Sequence, residues 1–387
     1  MNNFKFQNPT KIVFGKGSIA NISKLIPKRA KVLILYGGGS IKKNGVYDQV
    51  TKALKKHTFI EFGGIEANPD YDTLKKAVKL VHSEKVDFLL AVGGGSVIDG
   101  AKFISVATHY KGKHPWNLLA KHEAIKIKKA VPIGVILTLP ATGSEMNMNA
   151  VISRRRSEEK LSFANPNVFP RFSILDPEVT YSLPEKYVRN GIVDAYVHVM
   201  EQYMTYPVGA IVQDRQAEAI LHALIELAPK ALETPPDYLG RANFMWAATN
   251  ALNHLISSGV PGDWATHEIG HELTALYGLD HAETLAVILP YILWYKRDKK
   301  KKKLLEYGYR VLNTRSQNHE ERISQTIEKT AAFFQGLGMP TTLTSYNIDP
   351  DEAAEKVQAR LEKRGVILGE HNDITPEDVA NIIRMSR

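Results

Sequence analysis

The feature that most narrows the fold is a repeated unit in which a short, almost wholly apolar run ends in three glycines and a serine. Lys31-Val32-Leu33-Ile34-Leu35-Tyr36 leads into Gly37-Gly38-Gly39-Ser40, and Asp87-Phe88-Leu89-Leu90-Ala91-Val92 leads into Gly93-Gly94-Gly95-Ser96. A continuous apolar run bounded by glycine suits a strand buried on both faces, as in a parallel sheet covered by helices. The stretches Val50 to Lys55 and Lys75 to Val86 carry helical spacing, which completes a strand, loop and helix grammar. A third run, Val131 to Leu139, passes into Pro140-Ala141-Thr142-Gly143-Ser144. Three predicted strands therefore deliver polar, glycine-containing loops, and open α/β sheets bind ligands at the carboxyl ends of their strands.

From about Leu183 the pattern changes to long stretches with helical spacing, such as Asp214 to Leu232 and Tyr238 to Leu255. The switch follows Leu175-Asp176-Pro177, where proline disfavours continuation. The expected organisation is an α/β nucleotide-binding domain over residues 1–180 and an all-α domain over 181–387, with a cleft between them. A 44% hydrophobic share in 387 residues excludes a disordered chain. The most apolar window, Ala130 to Leu139, is about half the roughly 20 residues of a membrane helix, and the start lacks the basic-then-apolar pattern of a secretory signal. A cytoplasmic protein with no membrane partner is expected. The formal charge of +9 raises the question of nucleic acid. Part of the excess, however, sits in one run, Lys296 to Lys303, expected to be a solvated helix face, so no nucleic-acid partner is expected.

The glycine loops let backbone N–H groups approach an anion at a helix start, and a diphosphate is the natural candidate. Neither loop is a Gly-x-Gly-x-x-Gly fingerprint or a Walker loop. After the first loop stand Ser40, Ile41, Lys42 and Lys43, with no acidic residue before Asp48. An acidic group near the adenosine ribose favours NAD, whereas a cationic or neutral site accepts a 2′-phosphate, so this loop reads as NADP-accepting.

With no cysteine in the chain, any metal must be held by histidine and carboxylate. Asp194 and His198 are four apart, hence on one helical face, and His267, His271 and His281 follow in the second half. One carboxylate and several imidazoles suit a catalytic divalent metal with an open position. His267-Glu268-Ile269-Gly270-His271 also matches the metalloprotease pattern H-E-x-x-H, with Glu268 as base. The extended form of that pattern requires Gly and His where Thr274 and Tyr277 stand.

Taken together, these residues resemble the iron-containing alcohol dehydrogenase family, in particular its branch of NADPH-dependent aldehyde reductases and butanol dehydrogenases. The similarity runs through Asn8-Pro9-Thr10-Lys11-Ile12-Val13-Phe14-Gly15-Lys16-Gly17, both Gly-Gly-Gly-Ser loops, Thr138-Leu139-Pro140-Ala141-Thr142-Gly143-Ser144-Glu145, Leu175-Asp176-Pro177 and the Asp/His set. Many NAD-using members carry an acidic residue in the first glycine loop, where Gly39-Ser40 stands here. The resemblance implies a dehydroquinate synthase-like fold. It assigns one divalent metal, Fe(II) or Zn(II), to Asp194, His198, His267 and His281, leaving His271 as a catalytic neighbour of the substrate pocket. It places Gly38, Ser40 and Lys43 near the adenosine end of NADP(H), and Asn68 beside the ribose. Gly94, Gly95, Ser96 and Asp99 fall in the diphosphate loop and its helix, and Thr138, Thr142, Asn147 and Lys160 along the diphosphate, ribose and nicotinamide. The implied protein is a homodimeric NADP(H)-linked alcohol dehydrogenase, acting mainly as an aldehyde reductase on short- to medium-chain aldehydes of the butanal type. Two departures are Ala282, where the family usually has Gly, and the basic run Arg154-Arg155-Arg156. The alternatives are an NAD-dependent glycerol or diol dehydrogenase on the same scaffold and, further off, a zinc peptidase.

Overall fold

A computed structural model describes all 387 residues, which form two compact units. One comprises Gln7–Val188 with Glu233–Asn253, and the other Met1–Phe6, Arg189–Leu232 and His254–Arg387. Against a single cut after residue 180, the sheet-bearing unit runs on to Val188 and takes in the Tyr238–Ala251 helix. Buried polar bonds tie that segment in: Thr249 Oγ1 donates to Glu145 at 2.5 Å, Asn147 Nδ2 to the Leu252 carbonyl at 3.1 Å, and Arg241 to the Thr180 carbonyl at 2.9 Å. Sequence periodicity identifies such a helix but carries no record of which unit it packs on.

The first unit is built on a six-stranded parallel sheet in the order β1-β8-β5-β4-β2-β3. The strands are β1 (Lys11–Phe14), β2 (Lys31–Tyr36), β3 (Thr58–Phe62), β4 (Phe88–Gly94), β5 (Ile133–Leu139) and β8 (Phe172–Leu175). The apolar runs are buried on both faces. Leu33, Leu35, Leu89 and Ala91 pack on one side, while Val32, Ile34, Leu90 and Val92 pack on the other. A separate antiparallel hairpin, β6 (Asn149–Arg154) and β7 (Glu159–Ala164), was not anticipated from the apolar pattern. Its turn contains Arg155 and Arg156. Arg155 lies 3.7 Å from Glu66 and 3.9 Å from Asp70, and the Arg154 guanidinium sits over Tyr71 and Trp116.

The order places β2 beside β4, whose onward connections leave in opposite directions, to β3 on one edge and toward β5 on the other. That is the switch point of an open α/β sheet, where a crevice forms at the carboxyl ends. Tyr36 pairs with Val92, so the two glycine loops leave adjacent strands at the same level.

The second unit contains the Glu185–Tyr203 helix from Arg189 onward and the helices Ile211–Ala231, Ala265–Tyr277, His281–Tyr295, Lys301–Arg310, His319–Gly336, Pro350–Arg364 and Pro376–Met385. Three of the last four start behind a capping side chain, Asn318, Asp349 or Thr375, whereas Lys301–Arg310 follows Lys300 without one. No helix is long and apolar enough to cross a membrane. The lysine run departs from the solvated face expected of it. Lys296, Lys300 and Lys303 are buried, 5%, 4% and 3% exposed, and point inward at spacings of four and three. Lys296 pairs with Asp373 at 2.6 Å, Lys300 with Asp263 and Glu370, and Lys303 with Asp214. Lysine stems cover apolar surface while their ammonium groups meet carboxylates, so composition alone misreads this run as a surface charge patch.

Candidate functional site

In the sheet-bearing unit the glycine loops, the Thr138–Ser144 segment and Asn68 come together at the carboxyl ends of the strands. Gly95 opens the Gly95–Ala107 helix, whose first turn has no side-chain cap, so its N–H groups are available to an anion. A Cβ on Gly95 would lie 2.5 Å from Thr142 Cγ2, so glycine is needed for the two loops to touch. Asn68, in a left-handed conformation with φ 53°, donates its N–H to Ser96 Oγ at 3.2 Å. Gly38 and Ser40 are exposed, and a Cβ on Gly38 would meet nothing within 4 Å. Uncapped N–H groups, close-packed glycines and open space fit a dinucleotide diphosphate.

Three residues carried over from the resemblance have inward duties. Asn147 is 1% exposed and its amide is fully engaged. Its Oδ1 accepts from Lys102 Nζ and Asn149 N–H, and its Nδ2 donates to the Gly143 and Leu252 carbonyls. Asp99 accepts from Ser144 Oγ at 2.6 Å and from the Val151 N–H at 2.8 Å. Burial pushes its carboxyl up, opposed by Lys102 and by the Ser144 bond. Lys160, 6% exposed, pairs in register with Ser153 on the hairpin. The sequence reading missed Lys102, a wholly buried ammonium that donates to Ser144, Asn147 and the Asn149 carbonyl. Burial pulls it down to about 8, against the pull of Asp99 and Glu145.

The lysines after the first loop divide. Lys42 donates to Glu61 at 2.7 Å, and the Tyr36 and Tyr47 hydroxyls donate to the same carboxylate. Those bonds hold Glu61 down to about 2. Lys43 is exposed and makes no ion pair, so it is the unneutralised cation of this loop. Glu61 lies on β3, beside the loop only through strand pairing, and so was invisible to a search of the loop itself.

In the helical unit, Asp194 and His198 sit one turn apart on the Glu185–Tyr203 helix. His267 lies in the first turn of Ala265–Tyr277, and His281 is the first residue of His281–Tyr295, set by a capping box between Asp280 and Glu283. Ligand atoms of Asp194, His267 and His281 all lie within 4.8 Å of one another. Asp194 Oδ1 is 3.8 Å from His267 Nε2, 3.8 Å from His281 Nε2 and 3.4 Å from His198 Nδ1. The His198 ring stacks on that of His267 with centroids 4.6 Å apart, beside the trio. His198 Nδ1 and His267 Nε2 are buried with no hydrogen-bond partner. Buried polar atoms are rarely left so, and lone pairs converging with a carboxylate fit a divalent cation. A set of one carboxylate and imidazoles suits Zn(II) or Fe(II) alike.

Without a cation, burial pulls His198 down to about 4. Burial acts the same way on His267, but Glu201 and Asp194 overcome it and carry the ring up to about 9. His271 is buried one turn beyond His267, stacked on His281 with centroids 5.4 Å apart. The His267 and His271 rings are 6.5 Å apart and nearly perpendicular, and His267 groups with Asp194 and His281 instead. The metalloprotease pairing is therefore not assembled. The sequence reading also missed Glu201, whose carboxylate bonds His267 Nδ1. Its signal was present: Asp194, His198 and Glu201 stand at i, i+4 and i+7 on one helical face.

Comparison with known proteins bears on both units. Residues 9–177 match the family model "Iron-containing alcohol dehydrogenase", and residues 189–386 match "Fe-containing alcohol dehydrogenase family, C-terminal". The chain is 54% identical over 389 residues to NADPH-dependent aldehyde reductase YqhD of Escherichia coli strain K12, covering all of both chains. It is 38% identical over 391 residues to the probable NADH-dependent butanol dehydrogenase 1 of Bacillus subtilis strain 168, again over the full length of both. The crystal structure of E. coli K-12 YqhD superposes with a TM-score of 0.97 at 53% identity, over 100% of this chain and 99% of that one. The fold is thus the α/β-plus-helical architecture expected, and the chain belongs to the iron-containing alcohol dehydrogenase family.

Proposed function

We propose that this protein is a metal-dependent, NADP(H)-linked alcohol dehydrogenase acting mainly as an aldehyde reductase on short- to medium-chain aldehydes of the butanal type. The observation that carries the reading is the convergence of Asp194, His267 and His281, with ligand atoms within 4.8 Å, in a chain 54% identical throughout to an NADPH-dependent aldehyde reductase. When bound, a divalent cation, Fe(II) or Zn(II), supplies Lewis-acid polarisation of the carbonyl and NADPH supplies the hydride.

In this reading Asp194, His198, His267 and His281 hold the cation, and the Asp194 carboxylate neutralises part of its charge. Gly94, Gly95 and Ser96 cradle the diphosphate with backbone N–H groups, while Thr138 and Thr142 line the same loops. Gly38 and Ser40 leave room at the adenosine end, where Lys43 offers its charge to a 2′-phosphate and Asn68 stands beside the ribose. Asp99 braces the diphosphate loop from its helix, and Asn147 and Lys160 support the nicotinamide end from within. His271 relays a proton to the alcohol oxygen, and its burial beside His281 keeps bulk water from the reacting carbonyl. A cytoplasmic homodimer completes the reading, checked by light scattering and cell fractionation.

A second coenzyme reading, NADH, is favoured by the name of the 38% identical Bacillus relative. Butanal reduction with NADPH and NADH side by side, before and after chelation and metal add-back, tests the proposal. Preference for NADPH with metal-dependent loss and recovery is expected. Preference for NADH would overturn the role given to Lys43, and reduction unaffected by complete metal removal would overturn the metal centre.

A further inference from the structure

We infer that Glu201 is a positioning residue of the metal centre, holding both the ring and the backbone of His267 so that its Nε2 faces Asp194. The inference rests on the metal-centre reading above. Glu201 is 3% exposed. It lies on the helix of Asp194 and His198 but serves the helix that follows in the site. Its Oε1 accepts the Thr266 N–H at 2.5 Å, and its Oε2 accepts the His267 N–H at 3.3 Å and also bonds His267 Nδ1. Its own carbonyl accepts the Asp263 N–H at 3.0 Å.

These contacts answer a local need. The Ala265–Tyr277 helix begins after Trp264, which is left-handed at φ 63° and offers no capping side chain. First-turn N–H groups have no partner within their own helix, and a buried pair requires acceptors from elsewhere. Glu201 supplies them, and its negative charge suits the positive end of the helix dipole.

The same carboxylate decides the chemistry of the ring. A neutral imidazole has one protonated nitrogen and one bare one, and a carboxylate at Nδ1 selects the Nδ1–H form. Nε2, 3.8 Å from Asp194 Oδ1, then carries the lone pair toward the cation position. Without that bond the ring divides its time between tautomers and rotations, and only a fraction of molecules present a ligand. Outer partners of this kind are worth about 10–100-fold in metal affinity.

The test uses the full-length protein, stripped by chelation and titrated with Zn(II) against a chromophoric chelator, and loaded separately with Co(II) for its visible spectrum. In Glu201→Gln the remaining side-chain oxygen still accepts the Thr266 N–H, but the amide nitrogen can accept neither the His267 N–H nor Nδ1–H. Zn(II) affinity about 10–100-fold below wild type is expected, with a changed Co(II) spectrum and metal-free thermal unfolding that stays cooperative and is lowered only by the one lost first-turn hydrogen bond. Unchanged affinity and spectrum in a folded variant would overturn the inference, since capping alone would then be the role. If the variant does not fold, 15N spectra of histidine-labelled, Zn(II)-loaded wild type decide. Coordination through His267 Nε2 with a slowly exchanging Nδ1–H supports the inference, and coordination through Nδ1 overturns it. Wild type that binds no Zn(II) would instead sink the metal-centre reading itself, so the two failures are distinguishable.

Discussion

Lys300→Met tests whether the inward lysines hold the start of the helix that carries His267. The Lys300 ammonium lies 2.7 Å from Asp263 Oδ2, 2.8 and 2.9 Å from the Glu370 oxygens and 2.6 Å from the Met204 carbonyl. Asp263 accepts the Ala265 N–H at 3.0 Å, at the first residue of that helix. Methionine nearly conserves the volume, so the perturbation is the lost charge rather than a cavity. Removing one partner of a buried ion pair costs about 3–5 kcal/mol, because the remaining charge is buried uncompensated. Here Glu370 has an escape: burial and its bond to Asp263 already push its carboxyl up to about 7. Asp263, despite its burial, is held below the usual carboxylate range by the hydrogen bond from Glu370 and by Lys300.

The sign follows from proton linkage. A carboxyl raised in the folded state binds more protons than in the unfolded chain, so stability falls as pH climbs from the unfolded value of 4.5 through about 7. Loss of Lys300 raises Glu370 further, so the deficit of the variant grows as pH rises above about 7, where the wild-type carboxyl ionises and the variant's does not. We expect about 1–2 kcal/mol near pH 5 and about 3–5 kcal/mol near pH 8, measured as urea midpoints at constant slope. Lys300→Met with Glu370→Gln should recover much of the loss at the higher pH. A deficit below about 1 kcal/mol near pH 8, or one that shrinks as pH rises, would refute the reasoning.

Three further outcomes are expected. His271→Ala should lower turnover by about 10²–10⁴-fold with metal content intact by elemental analysis, and loss of the metal would show the ligand assignment to be wrong. Asp373, where burial is outweighed by Lys296 and Lys299, is held down to about 2. Asp373→Asn should therefore cost about 1–2 kcal/mol above the unfolded value, with the cost fading as pH falls from 3.8 through about 2, read by denaturant titration at several pH values. Gly95→Ala places a Cβ 2.5 Å from Thr142 Cγ2, which predicts a loss of about 1–3 kcal/mol and a raised KM for the coenzyme; an unchanged KM would remove that loop from the coenzyme site.

Much of this molecule was legible in its sequence because the relevant physics is local. Apolar runs ending in glycine announce parallel strands, since only backbone buried on both faces tolerates such composition. The spacing of Asp194 and His198 places them on one face of any helix they form, and Asp280 with Glu283 writes the start of the helix bearing His281. The lack of cysteine restricts the candidate metal ligands to imidazole and carboxylate.

Tertiary packing decided the rest, because it joins groups distant in the chain. Only the sheet order sets both glycine loops at one switch point, and only strand pairing brings Glu61 to Lys42. Only helix packing chooses His281 over His271 as the companion of His267 and Asp194, and turns Lys296, Lys300 and Lys303 inward onto carboxylates. A sequence specifies periodicities and end signals residue by residue. Which face meets which depends on burial summed over the whole fold, and that sum placed Glu201 against His267.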